Sequence, residues 1–362
     1  MYRVYVRPVS TSTYPLHSED AANLLLSDAI INLTVNGKST FTFKITKNHE
    51  NYHVVNLESE VDVYQEDSLT NTCIFAGRIT NIVTDIYQTK TVTVESIYSM
   101  LYDTAVRAGT LGSTVSAVIQ ALITNHNAYV PLEYRLFSGV VDSSTTAYSI
   151  TSEVDTTANI MQKMIEDLGG FFYIRKYSQY GGYVLDYRKT TFDESTQKAI
   201  EGINLMSLDV RTTQEDVYRY LLPVGDHGET ISSIEPSGHD YLEVSGVSIN
   251  NYRTKIQRFT IGEPPEHVSK EAMLYGDAQR FKYSMLTSNK YINASVFDLH
   301  YLDVNIPAYM MLQNVNVVAP SQSIDETLMI TKMQIDINNP QKNTITFGKD
   351  TSLTLSQRVR KG

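Results

Sequence analysis

Apolar and polar residues alternate with a period of two along the first hundred positions, which is the pattern of strands with one buried face. Leu33 and Val35 lead into Asn36-Gly37, a pair that favours a two-residue hairpin turn, and Phe41, Phe43 and Ile45 return from it. Val61-Asp62-Val63-Tyr64, Ile74-Phe75-Ala76-Gly77-Arg78-Ile79 and Val92-Thr93-Val94 carry the alternation on. Short strands separated by turn residues predict a small β-barrel over residues 1–100.

A second run of the same kind lies near the C-terminus, offset by 254 positions. Phe43 and Ile45 recur as Phe297 and Leu299, Val61 and Val63 as Val315 and Val317, Ile74 as Leu328 and Ile79 as Met333. The closing strand, with Val92 and Val94, recurs one residue early as Ile345 and Phe347. A duplicated β-module at both ends of a chain, with other material between, describes a scaffold better than most enzymes.

Between the two runs the period changes. Ser113 or Thr114 can cap a helix over 114–123 whose apolar face is Val115, Val118, Ile119 and Leu122. Met161, Met164, Ile165 and Leu168 mark a second helix, stopped by Gly169-Gly170. Phe171-Phe172-Tyr173-Ile174 and Tyr183-Val184-Leu185-Asp186-Tyr187 then read as a hairpin around Gly181-Gly182. These predict an α+β domain over 101–198. The second barrel is expected to be discontinuous, from 199–228 and 292–355. An α/β subdomain at 229–291 is inserted into it, with Pro264-Pro265 and a helix from Glu266 to about Leu286. Residues 356–362, including Arg358-Val359-Arg360-Lys361-Gly362, read as a fraying tail or a linker. The fold class is mainly β with α+β parts: two related small β-barrels, an α+β domain and an inserted α/β subdomain.

Composition narrows the function classes. The 362 residues are 42% hydrophobic and only 19% charged, so the chain is globular and has neutral polar surface to bury against partners. The net charge of −10 argues against tight nucleic-acid binding, which depends on Lys and Arg displacing counterions from phosphates. Cys73 is the single cysteine, so no disulfide and no Cys-based zinc site forms within one chain, and its strand setting suggests a buried structural thiol. Met1-Tyr2-Arg3-Val4-Tyr5-Val6-Arg7-Pro8 lacks the apolar core of a signal peptide. The longest stretch without charge, Leu111 to Leu132, is interrupted by Asn125-His126-Asn127, so no membrane insertion is expected and the protein is expected to fold in a cytoplasm. Tyr is abundant, with 25 residues, and Trp is absent; Tyr173, Tyr177, Tyr180, Tyr183 and Tyr187 flank strands. Tyr suits sheet faces and interfaces equally.

Chemical motifs are sparse. Gly169-Gly170 and Gly181-Gly182 lack the spacing of a phosphate-binding loop, and no G-x-S-x-G elbow is present. His49 and His53 would align as metal ligands on a helix, but they sit between strands and read as a solvated loop. Asp226-His227 and His239-Asp240 form the best acid–base candidate, without a third partner. No catalytic, cofactor-binding or metal residues are therefore assigned, and no cofactor is expected.

The ordered set of segments resembles the tail-associated hub proteins of long-tailed phages and prophages, the N-terminal structural part of tail-associated lysins and prophage tail endopeptidases. These are in turn similar to the trimeric baseplate hub of contractile-tailed phages. The matching segments are Phe41-Thr42-Phe43-Lys44-Ile45, Val61-Asp62-Val63-Tyr64, Ile74-Phe75-Ala76-Gly77-Arg78-Ile79, Val94-Glu95-Ser96 and Ile160 to Tyr173. Gly202-Ile203-Asn204-Leu205, Tyr220-Leu221-Leu222-Pro223-Val224-Gly225 and Ile345-Thr346-Phe347-Gly348 complete them. One departure is Ile306-Pro307-Ala308-Tyr309-Met310-Met311-Leu312, which stands where the family has a Gly-containing turn. The other is that no lytic segment follows residue 355, so lytic activity is not carried over.

The resemblance implies a non-enzymatic virion protein, assembled in the bacterial cytoplasm. It implies a homotrimeric hub at the distal tip of the tail whose six barrels form a pseudo-sixfold ring. That ring would join the distal tail protein and other tail-tip proteins and pass DNA without binding it specifically. The acidic balance suits such a conduit, with negative charge expected on the inner ring surface. A tail-tip cell-wall hydrolase and a receptor- or glycan-binding tail protein stay open as alternatives.

Overall fold

The computed structural model describes residues 2–8, 12–66, 71–176, 182–189, 194–214, 217–259, 261, 267–285, 289–303 and 305–347. Two compact units result: Met1–Asp209 with Ile292–Gly362, and Val210–Tyr291. The fold is mainly β with α+β parts, built on a curled sheet.

The first module consists of β1 (Tyr2–Arg7), β2 (Tyr14–Ser18), β3 (Ser27–Thr34), β4 (Thr40–Ile45), β5 (Glu60–Glu66), β6 (Asn71–Thr84) and β7 (Lys90–Ser96). Alternation places Val4 and Val6, Phe41, Phe43 and Ile45, Val61 and Val63, Ile79, and Val92 and Val94 on one buried face. Burial of each such side chain contributes about 1.5–3 kcal/mol. The β3–β4 turn forms at Asn36, whose positive φ of 55° is one that Asn tolerates. At Gly77, where β6 passes β7, a Cβ would run into the Glu95 carbonyl, so only glycine allows that approach.

The second module repeats the plan of β4–β7 in four strands: Asn289–Val296, Asn314–Ala319, Ile324–Asp336 and Thr344–Phe347. Pairing registers identify the equivalent residues. Phe41 faces Val94 and Phe43 faces Val92; Ile292 faces Phe347 and Ala294 faces Ile345. On the next strand Ile79 faces Val94 and Ile82 faces Val92, with a bulge between Ile79 and Asn81. Ile330 faces Phe347 and Met333 faces Ile345, with a bulge between Ile330 and Lys332. The repeat therefore includes the bulge, but its offset is not constant. Val61 and Val63 do match Val315 and Val317 at 254, and the closing strand is one residue early. The first and third strands are offset by 251 instead. Phe43 corresponds to Ala294 rather than Phe297, and Ile79 to Ile330 rather than Met333. Loop lengths absorb the differences, and a period of two does not reveal them.

The two modules share one sheet. In order it runs Leu205–Thr213, Asn289–Val296, Thr344–Phe347, Ile324–Asp336, β3, β4, β7, β6, β5, β1, β2, with Asn314–Ala319 and Ala199–Ile200 off this path.

Residues 97–188 pack α1 (Val115–Asn127) and α2 (Thr157–Leu168) against a three-stranded sheet. In that sheet Tyr183–Arg188 pairs antiparallel with Phe171–Lys176 and parallel with Leu136–Val141. Thr114 caps α1 by accepting from the Ala117 N–H, and Thr156 caps α2 by accepting from the Asn159 N–H. Gly169, at φ 71°, ends α2. The first helix runs past its apolar stripe because Asn125, His126 and Asn127 bond to neighbours. Asn125 donates to the Ala105 carbonyl at 2.7 Å, and Asn127 brackets Leu136 by both of its backbone groups at 2.8 Å. Gly181 and Pro264-Pro265 lie outside the described residues, as does the tail.

In the second unit Tyr220–Gly225 pairs parallel with Thr254–Phe259 and antiparallel with Leu242–Glu243. With α3 (Lys270–Ser284) this sheet buries Leu221, Ile231, Leu242, Leu274 and Ala278. The second compact unit is Val210–Tyr291, and Tyr220–Gly225 lies within it. Alternation marks Tyr220–Gly225 as a strand without saying which sheet receives it. The helix starts at Lys270, after the Ser269 cap, rather than at Glu266.

Candidate functional site

A group of charged side chains lies where β1 and β5 meet the α+β domain. Glu60 and Asp62, two apart on β5, point the same way. The Lys176 Nζ lies 2.9 Å from Glu60 Oε1 and also pairs with Asp62; Arg7 pairs with Glu60 Oε2. The Tyr183 hydroxyl donates to Glu60 Oε1 at 2.6 Å. Glu60 is buried, and both of its oxygens are engaged, which leaves none to take a proton from a substrate. The arrangement is a cross-brace between domains. Asn36 makes a second brace, donating to the Gly170 carbonyl at 3.1 Å and accepting from the Phe172 N–H at 2.8 Å.

Cys73 lies beside this cluster. Burial, followed by the nearby Asp62 carboxylate, pushes its thiol up to about 12, so it is a thiol at neutral pH and no nucleophile. Tyr183 and Tyr187 are core residues, and burial raises both, Tyr187 to about 12. Tyr187 donates to the Gly169 carbonyl at 2.9 Å. Burial also raises Tyr173, while Tyr177 and Tyr180 lie outside the described residues. The three described tyrosines of this group form no open platform for a sugar. A cavity of about 130 Å³ at the same junction is lined by Leu33, Phe75, Tyr98, Phe172, Met310 and Met333 among others, well below the size of ordinary ligand pockets.

The histidines separate in the structure. His49 is not in a solvated loop: it is buried, its Nε2 2.8 Å from the Leu16 carbonyl, while its Nδ1 accepts from the Asn51 N–H at 3.0 Å. His53 is exposed, so the two do not converge. In the second unit Asp226 accepts from the Ile261 N–H at 3.2 Å, and the His239 ring stacks on Tyr241 at 4.7 Å. Among the described residues nothing bonds Asp226-His227 to His239-Asp240, and no three His, Cys, Asp or Glu side chains gather to hold a metal. No described helix is long and apolar enough to cross a membrane.

The turn at the end of Ile306-Pro307-Ala308-Tyr309-Met310-Met311-Leu312 is made by Leu312 at φ 66°, with its N–H donating to the Ile330 carbonyl at 3.1 Å. Buried Tyr309 and Asp298 hold the approach: the Tyr309 N–H donates to Asp298, and Gln197 donates to the same carboxylate at 2.7 Å.

The repeated module is joined edge to edge with its twin. Residues 332–336 of the long strand Ile324–Asp336 pair antiparallel with β3. Period-two alternation does not reveal this junction. Its signal was present: Ile79-Thr80 and Asp85-Ile86 are spaced as Ile330-Thr331 and Asp336-Ile337 are.

No protein-family model matches the chain, and no curated protein does. Solved structures do. The 43 kDa tail protein of prophage MuSo2 from Shewanella oneidensis superimposes with a TM-score of 0.64 at 10% identity, over 96% of this chain and 98% of that one. A prophage tail protein of Listeria monocytogenes EGD-e gives 0.59 at 12% identity, over 99% and 100%. A tail protein of Neisseria meningitidis MC58 gives 0.62 at 11% identity, over 96% and 97%. At such identities the likeness is one of fold, and over nearly its whole length this chain has the fold of phage and prophage tail proteins.

Proposed function

We propose that the chain is a non-enzymatic structural protein of a phage tail, a homotrimeric hub at the distal tip. In this reading it joins the distal tail ring to the tip and forms part of the DNA exit channel. The observation that carries the proposal is the module repeated in register, bulge included, within one sheet. Two equivalent modules per chain, in three chains, present six similar faces to a sixfold ring. The division into two related barrels, an α+β domain and an inserted subdomain belongs to the same proposal, as do virion location and assembly in the host cytoplasm.

The net charge of −10 suits a channel through which DNA slides, because a basic lumen would hold the phosphates by many ion pairs. Negative-stain electron microscopy of the purified chain tests the reading: threefold rings with a central hole are expected, and compact monomers at every concentration would overturn it. Retention on a DNA column at physiological salt would count against the conduit. The chain is expected to leave a peptidoglycan zymogram uncleared; clearing would restore the hydrolase.

A further inference from the structure

Asn36-Gly37 is the one place in the chain where glycine follows asparagine. Asparagine is chemically labile, and a following glycine makes it more so, because glycine has no Cβ to shield its backbone nitrogen. The Gly37 nitrogen can attack Cγ of the Asn36 side chain. A bond forms from that nitrogen to Cγ, the Cγ–Nδ2 bond breaks, and Nδ2 leaves as ammonia with the proton that Gly37 gives up. Water then opens the cyclic imide at either carbonyl. That leaves aspartate, or isoaspartate, in which the chain runs through the side chain. Water is taken up and ammonia released, and nothing is oxidised or reduced.

In the folded chain the Asn36 amide is not free to react. Closing the ring swings it about the Cα–Cβ bond onto the Gly37 nitrogen. Both ends of the amide are engaged elsewhere: Nδ2 donates to the Gly170 carbonyl at 3.1 Å, and Oδ1 accepts from the Phe172 N–H at 2.8 Å. The Phe172 N–H also polarises the Asn36 carbonyl, which by itself would speed attack, but the swing breaks that bond before the ring closes. The grip is anchored from behind. Phe172 is buried, its ring centroid lies 5.2 Å from that of Tyr187, and the Tyr187 hydroxyl donates to the Gly169 carbonyl at 2.9 Å.

We propose that Asn36 is a deamidation site held shut by the α+β domain, and that separation of this domain from the first module opens it. The product marks the chain permanently. Aspartate at position 36 keeps an acceptor for the Phe172 N–H, but it sets a second oxygen against the Gly170 carbonyl oxygen, where Nδ2 had donated. Isoaspartate lengthens the backbone at the turn. In both cases the brace is weakened, so a chain that has opened closes less firmly than before. Gly37→Ala separates the chemistry from the brace. A Cβ there would meet Thr34 Cγ2 at 3.4 Å and the Val35 carbonyl oxygen at 3.8 Å, both ordinary contacts, and Gly37 has no left-handed φ.

The test keeps the full chain in mildly alkaline buffer and follows the peptide carrying residues 36 and 37 by mass spectrometry for the change from amide to acid. Unfolded in urea, Asn36 is expected to convert faster than every other asparagine and at least tenfold faster than in native buffer. Gly37→Ala is expected to slow that conversion at least tenfold. In urea too dilute to unfold the chain, conversion of Asn36 and hydrogen exchange of the Phe172 amide are expected to rise together, because one opening frees both. Asn36→Asp is expected to lower the urea midpoint and to speed proteolysis of residues 97–188. Equal rates in native buffer and in urea, or conversion that rises while the Phe172 amide stays protected, would overturn the latch. An Asn36→Asp chain as stable as the original would overturn the lasting effect of opening it.

Discussion

Single residues decide how local irregularities are tolerated. Leu312 occupies a left-handed conformation that costs about 1 kcal/mol, and its buried side chain more than offsets this. Leu312→Gly is therefore expected to destabilise by about 1–2 kcal/mol rather than to stabilise, read as a lowered urea midpoint. His17 and His126 are both buried, and burial pushes both below their ordinary value of 6.5. His126 lies 3.2 Å from the Thr104 hydroxyl, and His17 accepts from the Leu26 N–H at 3.3 Å. Below 6.5 the unfolded chain binds protons that the folded histidines refuse, so stability is full above that pH and falls as pH drops through it. A His17→Gln, His126→Gln double variant is expected to show a flatter dependence of urea midpoint on pH between about 7 and 5.

At the scale of elements, the braces between the first module and the α+β domain determine how the parts hold together. Glu60→Ala removes the buried carboxylate that Lys176 and Arg7 pair with and leaves the buried Tyr183 hydroxyl without its acceptor, and it is expected to cost about 1–3 kcal/mol. The loss should appear both as a lower urea midpoint and as faster proteolysis of residues 97–188. The exposed pair of Lys44 and Asp28, at 2.7 Å, provides the contrast: Lys44→Ala is expected to change neither measurement. Asn36→Ala removes two hydrogen bonds to Gly170 and Phe172 and a residue suited to φ 55°, and about 1–3 kcal/mol of stability should go with them.

At the scale of the whole molecule, the repeat has a consequence that no single module has. The edge at 332–336 of the second module is covered by β3, whereas among the described residues no strand pairs with the outer edge of Asn81–Thr84 in the first. His49, Tyr183 and Tyr187 are buried, and Glu60 and Asp62 form a brace with Lys176. Threefold rings in negative-stain electron microscopy are the outcome that would separate a ring component from a chain that works alone.

Much of this was legible along the chain because it is local. Period-two alternation placed β4, β5 and β7, and the Asn36 turn and the Thr114 and Gly169 caps follow from side-chain and backbone preferences of a few residues. The charge that disfavours nucleic-acid binding is likewise a property of the sequence alone. Tertiary structure decided what depends on partners far apart in sequence. The repeat was visible, but its offset was not constant, because loops of different length let one pattern slide three residues without changing its parity. Alternation did not tell that Tyr220–Gly225 joins the second unit, since any sheet can accept an apolar edge. Nor did it tell Ile86 from Ile337, two isoleucines in the same local setting, one bare and one covered by a strand three hundred residues away in sequence.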